Sequence, residues 1–365
     1  MNNFFEYQKT IGVVGSGPDA DNFISKANAL GYLTVQLNDN EDLLASSQAD
    51  KKIIGSLSDF QIREEFLMLA DLLVYLDYSI RPADLEEAQK SVVVPQGTDL
   101  LAIGQDRSLQ KAFYESIGVN IAPYETIVKE EDIKNALPSI GYPAVLRSNV
   151  IQEDEPRNSF FIYEEEDIKE ASNLLEYGPC VLESWIISEH QLSITVVKSS
   201  SDEIQFYPII KKHYKDEKLS KTSQFKSTDT ELVEEIQKAT KIIVSNISFL
   251  GVITVDFMIS PSKALYLGRL HPFPNELSRY TEASKIYSSL EAHLRSVASI
   301  PLANLEAEKV DFVYFPLYGD QLAGIEKLML ENPKAIFNLY SQIRNSHYEW
   351  DDAEEIGYFL VENEE

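Results

Sequence analysis

A short β-branched run, Thr10-Ile11-Gly12-Val13-Val14, leads into Gly15-Ser16-Gly17 and then into a helix-like stretch ending at Leu30-Gly31. Backbone N–H groups at such a strand-to-helix turn are where a phosphate can be received. The third glycine of a dinucleotide fingerprint would fall near Ala20, however, and Pro18, Asp19 and Asp21 put negative charge where a pyrophosphate needs bare N–H groups. A tight turn alone accounts for Gly15 and Gly17. The five histidines, His190, His213, His271, His293 and His347, show no paired spacing of a zinc site, and neither CxxC nor GxSxG occurs. Zinc-dependent and serine-hydrolase chemistry are therefore excluded. The single Cys180 cannot form a disulfide within the chain, which fits a reducing cytosol, and it reads as a small buried hydrophobe.

The elements that would position these residues alternate. Tyr32 to Leu37, Asp71 to Tyr75 and Val92 to Val94 read as further buried strands after the first, so the first hundred residues form a Rossmann-like parallel sheet with crossover helices. A second unit opens at Gln105-Asp106-Arg107 with a helix to Gly118, then a helix near Glu130 to Ile140 and the strand Tyr142 to Arg147. Strands follow at Cys180 to Glu183 and Leu192 to Val197, then a helix from Glu231, a strand from Gly251 to Met258 and a hairpin-like segment to Leu267. After Pro301 a smaller, partly β tail runs to an acidic end. No repeat or low-complexity tract interrupts the chain. The fold class is α/β and α+β.

The 365 residues carry 32 basic against 59 acidic side chains, a formal charge of −27, with 44% hydrophobic and 25% charged residues. That length suggests two or three domains with real cores. Such acidity excludes nucleic acid and anionic membranes as partners, because both are bound through lysines and arginines. No apolar run is long enough for a membrane span, and Met1 to Lys9 lacks the pattern of a signal peptide, so a cytoplasmic protein is expected.

Several segments together carry a resemblance: Thr10 to Gly17, Pro95-Gln96-Gly97, Gln105-Asp106-Arg107 with Lys111, Gly141 to Leu146, Leu182-Glu183-Ser184-Trp185, Gly251-Val252 with Asp256, and Pro272, Pro274 and Tyr280-Thr281. In order and approximate spacing they resemble the 5-(carboxyamino)imidazole ribonucleotide synthase family of the ATP-grasp superfamily, to about His347. The resemblance implies ATP-dependent carboxylation of aminoimidazole ribonucleotide with bicarbonate, a step of purine biosynthesis. It implies a Rossmann-like domain at 1–104, a small lid at 105–178, an ATP-grasp core at 179–300 and a small C-terminal domain at 301–365, assembled as a homodimer. ATP and magnesium are the implied cofactors, and a nucleotide or purine precursor the implied small-molecule partner. Arg107, Lys111, Arg147, Glu183 and Gln191 fall on ATP-binding positions. Gly15, Gly17, His213, Arg344 and His347 fall on substrate positions, and Asp256 on a metal ligand.

The departures from the family cluster at its site. Arg147 replaces a lysine, and Gln191 a glutamate. The stretch Ser148 to Ser159 replaces a glycine-rich phosphate loop with one that has no glycine, contains Glu153, Asp154 and Glu155, and loses a donor at Pro156. The second metal carboxylate falls at Arg269, with Gly268 beside it, and a guanidinium cannot ligate a cation. The substrate stretches read Tyr75-Leu76-Asp77-Tyr78, Asn275-Glu276-Leu277-Ser278-Arg279 and Ile343-Arg344-Asn345-Ser346-His347. These changes spare the strand cores and strike the phosphate loop, metal ligands and substrate clamp. They point to a family scaffold whose catalysis is lost or weakened, the alternative being an active ATP-grasp carboxylate-amine ligase.

Overall fold

The computed structural model describes residues 6, 8–45, 47–151, 159–215, 218–227, 229–305, 311–340, 351–352 and 354–363. Arg344 and His347, and positions 152–158 of the acidic loop, lie outside the described residues.

The first sheet is parallel, built from β1 (Thr10–Val14), β2 (Leu33–Asn38), β3 (Lys51–Ile54) and β4 (Leu72–Tyr75) in the order β3-β2-β1-β4. β1 and β4 are apolar runs because helices cover both faces of a parallel sheet. Phe23, Ile24 and Ala27 of the helix Gly17–Ala29 are fully buried beside them. A Cβ on Gly12 would lie 2.7 Å from the Phe66 ring, so this glycine lets the helix Phe60–Leu67 close onto the strand. β3 is absent from the sequence reading, since Lys51-Lys52-Ile53-Ile54 buries only Ile53. Val92 to Val94, expected as a strand, contributes one bridge, Leu72 to Val93, and Val93 is exposed.

The second sheet is antiparallel, with β5 (Tyr124–Ile127), β6 (Ala144–Ser148), β7 (Ser159–Ile162) and β8 (Cys180–Ser184) in the order β5-β8-β6-β7. It runs past residue 178, the expected end of the lid, because β8 is its inner strand, paired with both β5 and β6. One face packs Ile127, Leu146, Ile162, Cys180 and Leu182 against the helix Glu130–Ile140. Burial pushes the Cys180 thiol up to about 11, the state of an inert core cysteine. By strand alternation the other face presents Thr126, Val145, Arg147, Phe161, Val181 and Glu183.

The third sheet holds β9 (His190–Lys198), β10 (Ile204–Phe206), β11 (Ile210–Lys215), β12 (Lys218–Gln224), β13 (Gly251–Ile259), β14 (Leu265–His271), β15 (Phe312–Tyr318), β16 (Ile336–Leu339) and β17 (Glu355–Glu362). Its order is β14-β13-β9-β11-β12-β15-β17-β16, with β10 on β9. Leu192, Ile194, Val196, Ile253, Val255 and Phe257 share an apolar cluster with Ile236 and Ile243 of the helix Thr230–Ser245. The opposite face carries Ser193, Thr195, Thr254 and Asp256. The C-terminal strands, expected as a separate unit, extend this sheet through the pair Thr222 to Tyr314. Among the described residues no helix is long and apolar enough to cross a membrane.

His293, in the helix Ser289–Val297, is fully buried where this helix meets β13 and the Phe23 ring. Its Nδ1 accepts from the Val252 N–H at 2.9 Å, and a Cβ on Gly251 would sit 2.7 Å from the ring. Burial lowers its pKa from 6.5 to about 3. The unfolded chain therefore takes a proton that the folded chain refuses, so stability is held above the unfolded pKa and lost as pH falls from there toward the folded one. Urea unfolding should show about 2 kcal/mol less stability at about pH 5 than at neutral pH from this group. His293→Gln should flatten that part of the profile, and an unchanged slope would contradict the assignment.

Candidate functional site

Three groups of polar side chains gather on the open faces of the second and third sheets and at the junction with the first. The first group surrounds Glu183. The helix Arg107–Ser116 starts at Asp106, whose carboxylate accepts from Leu109 N–H at 2.7 Å and from Asn149 Nδ2 at 2.8 Å. The Asn149 side chain accepts from Ser108 N–H in turn, while Arg107 donates from its backbone to Asn149 O and from Nε to Ser148 O, both at 2.9 Å. These bonds fasten the helix start to the end of β6. One turn later Lys111 donates to Glu183 at 2.8 Å, and both side chains are largely buried. Burial alone would raise the Glu183 pKa, but Lys111, Arg147 and Arg107 together hold it below the usual carboxylate value. Arg147 is half-buried on the same face, and its buried Nε has no hydrogen-bond partner among the described residues. Phe161 on this face meets Trp185 edge-on at 4.7 Å, at the start of the connection to β9.

The second group centres on Asp256. Ser193 donates to Oδ1 at 2.6 Å, and Lys212 donates to Oδ2 at 2.7 Å. His271 Nε2 lies 3.4 Å from Oδ2, and the Nδ1 of the same ring lies 2.8 Å from Asn275 Nδ2 and 3.5 Å from the Tyr78 hydroxyl. Burial would raise the Asp256 pKa, but Lys212 and then His271 drive it far below the normal range. Burial would lower the Lys212 pKa, yet Asp256 raises it overall. Gln191 and Met258 are paired further along the same two strands.

Magnesium fits this group poorly. It needs several hard oxygen ligands in octahedral array. Asp256 is one carboxylate with an ammonium on it, and no cluster of three or more His, Cys, Asp or Glu able to hold a metal occurs among the described residues. A bulge in the β13–β14 pairing sets Gly268 and Arg269 opposite Asp256, and the Arg269 guanidinium lies over the Tyr78 ring at 5.0 Å.

The third group is a clamp around Arg279, in the segment Glu276–Ala283. Its guanidinium donates to Asp19 at 3.2 and 2.8 Å, to Glu355 Oε1 at 2.5 Å and to the Tyr340 hydroxyl at 2.5 Å. Asp19 belongs to the first turn of the helix that opens at Gly17, so one of the two carboxylates expected to repel phosphate there is already engaged by the protein. Gly15 and Gly17 have φ of 138° and 79°, and Gly15 O accepts from Gln36 Nε2 at 2.8 Å. A side chain at Gly15 would press on the Leu76 backbone at 3.1 Å, which gives this glycine a structural reason.

The structure thus brings Arg107, Lys111, Arg147 and Glu183 together, and sets Asp256 with Gln191 on the polar face of the third sheet. His213 lies apart. Alternation along β11 places it on the face opposite Lys212, where Nε2 sits 3.2 Å from Ser223 Oγ and its pKa is lowered by burial and then by Lys221 and Lys211. Lys212, His271 and Arg279 were missed as members of the polar clusters. A usable signal for Lys212 is its place in a strand that follows Ile209-Ile210, where period-two alternation aims it with Ile210 toward the face that carries Ser193 and Asp256.

Residues 112–288 match the ATP-grasp domain family. The N5-carboxyaminoimidazole ribonucleotide synthase of Staphylococcus aureus (strain COL) is 25% identical over 361 residues, which cover 98% of this chain and 94% of that protein. Among solved structures, N5-carboxyaminoimidazole synthetase from Staphylococcus aureus complexed with ADP matches with a TM-score of 0.91 at 25% identity, over 100% of this chain and 96% of the other. The N5-carboxyaminoimidazole synthase from Aspergillus clavatus in complex with ADP and 5-aminoimidazole ribonucleotide matches with a TM-score of 0.86 at 20% identity, over 100% and 95%.

Proposed function

We propose that this chain, which carries an ATP-grasp domain and has N5-carboxyaminoimidazole ribonucleotide synthases as its curated relatives, binds an adenine nucleotide while its own carboxylation of aminoimidazole ribonucleotide is lost or weakened. The observation that carries the nucleotide reading is the open face of the second sheet. There Arg147 has a buried donor without a partner beside the ionised Glu183, an arrangement that an anion would complete. In this reading Arg147 and Arg107 hold phosphates, Glu183 accepts hydrogen bonds at the base end while Lys111 fixes its position, and Gln191 accepts from ribose hydroxyls. Val145, Val181 and Phe161 supply the apolar surface. Weak catalysis follows from the Asp256 group, whose carboxylate is held by Lys212 where phosphoryl transfer would need an oriented metal.

The test is calorimetry with ADP, followed by phosphate release from ATP in the presence of aminoimidazole ribonucleotide and bicarbonate. ADP should bind, and Arg147→Ala should weaken it by about 10-fold or more, the worth of a charge-assisted hydrogen bond. Phosphate release should not rise on adding the two co-substrates. Stimulated release would establish the second reading, an active carboxylate-amine ligase, which the end-to-end likeness to the synthases favours. Absence of ADP binding at millimolar concentration would remove the nucleotide reading.

A further inference from the structure

We propose that Lys212 is a resident cation that fills the divalent-metal position beside Asp256, so that this chain binds its nucleotide as the metal-free anion. The second half rests on the nucleotide reading above; the first half stands on the geometry alone. Both oxygens of the Asp256 carboxylate are engaged: Oδ1 takes the Ser193 hydroxyl at 2.6 Å, and Oδ2 takes Lys212 at 2.7 Å with His271 at 3.4 Å. A metal at bonding distance from Oδ2 would have to expel the ammonium. That ammonium is no mobile surface group, because its side chain is only 7% exposed and Lys212 is a ladder residue of β11, paired with Thr222.

Charge balance agrees. One ammonium matches the one carboxylate it touches; Glu276 adds only a longer-range attraction, and Gly268 and Arg269, which supply no acid, are what β14 sets opposite Asp256. A lysine also presents three donors, so Lys212 can hold Asp256 and still direct a proton to an incoming phosphate oxygen. It supplies charge without the octahedral template that a metal gives to phosphoryl transfer. Binding without turnover is the consequence.

Two measurements on the intact protein test this, each against Asp256→Asn. The first titrates manganese(II) alone and follows it by electron paramagnetic resonance. No binding at millimolar metal is expected in the wild type, and binding that Asp256→Asn abolishes would overturn the resident-cation assignment whatever the nucleotide does. The second measures ADP affinity with magnesium and with EDTA. Affinities that agree within about 2-fold are expected, while an increase of about 10-fold or more with magnesium would overturn the proposal. If ADP binds under neither condition, the metal-free binding half falls with the nucleotide reading, and the manganese titration still decides the first half. Lys212→Gln adds a positive arm: with the ammonium gone, Asp256 and solvent can hold a metal weakly, so millimolar manganese should raise its unfolding temperature slightly and leave that of Lys212→Gln/Asp256→Asn unmoved. A manganese response equal in both variants would count against Asp256 as the displaced position. If Lys212→Gln does not fold, the wild-type measurements suffice.

Discussion

Replacing Arg279 by methionine is expected to lower the unfolding free energy by about 3–5 kcal/mol, the cost of leaving buried charges without their partner. Arg279 is 11% exposed and serves two acids, Asp19 and Glu355. Tyr340 and Tyr314 both hydrogen-bond Glu355, and the guanidinium lies 5.5 and 5.9 Å from the Tyr340 and Tyr358 ring centres. Asp19 opens the helix after β1, Glu355 belongs to β17, and Arg279 lies in the segment between β14 and the helix Ser289–Val297, so the substitution loosens three parts of the fold at once. Urea denaturation measures the loss. The pH dependence has a definite sign. Burial raises the Glu355 pKa, and Arg279 opposes that rise, so removing the arginine raises it further. A carboxyl with a raised folded pKa gives its stability below the unfolded value and loses it as pH rises through the folded one. The deficit of Arg279→Met should therefore be smaller at about pH 5 than at neutral pH. Arg279→Lys should recover only part of the loss, because an ammonium lacks the planar fork that grips Asp19 through two nitrogens. Equal stability of all three proteins would show the clamp to be energetically idle.

The second large effect is the difference between single and double substitutions at Lys212 and Asp256. Lys212→Met leaves a buried carboxylate with only Ser193 and His271, and should cost about 3–5 kcal/mol. Asp256→Asn leaves a buried ammonium and should also destabilise, less severely because lysine can shed its proton. Lys212→Met/Asp256→Asn removes both charges and should recover much of the loss, since buried pairs replaced together are often near neutral. The four proteins form a cycle, and a coupling of about 1–3 kcal/mol is expected from equilibrium unfolding. Additive losses would mean that the contact at 2.7 Å carries no energy.

How far the sequence discloses this fold depends on how much of each element is buried. β1 and the helix Glu130–Ile140 are legible because their apolar positions follow the period that their surroundings impose. β3 is not, because an edge strand needs only Ile53 inside and its two lysines read as loop. Val92 to Val94 errs the other way, an apolar run that meets β4 through a single bridge. The boundary at residue 178 misplaces β8 because nothing local says which sheet a strand will join. At the site, Lys111 and Glu183 are each identifiable through the resemblance, but their ion pair links positions far apart in the chain and has no local signature. Lys212 escapes for a related reason. Lys211-Lys212-His213-Tyr214 looks like solvated charge until alternation assigns Lys212 to the polar face, where its partner Asp256 lies two strands away in the sheet.

The Lys212–Asp256 pair also constrains the paths that mutation can take. A change to a strong, multi-carboxylate metal site would need both the loss of Lys212 and a second acid near Arg269, and either change taken first leaves the site worse off. Removing Lys212 strands the existing acid, and adding an acid beside the intact pair crowds a site whose charge is already balanced. Folded proteins hold only about 5–15 kcal/mol in reserve. The intermediate sequence would spend a large part of that margin before any benefit arrived. The pair therefore acts as a ratchet: with the ammonium on Asp256, selection acting on single substitutions preserves it.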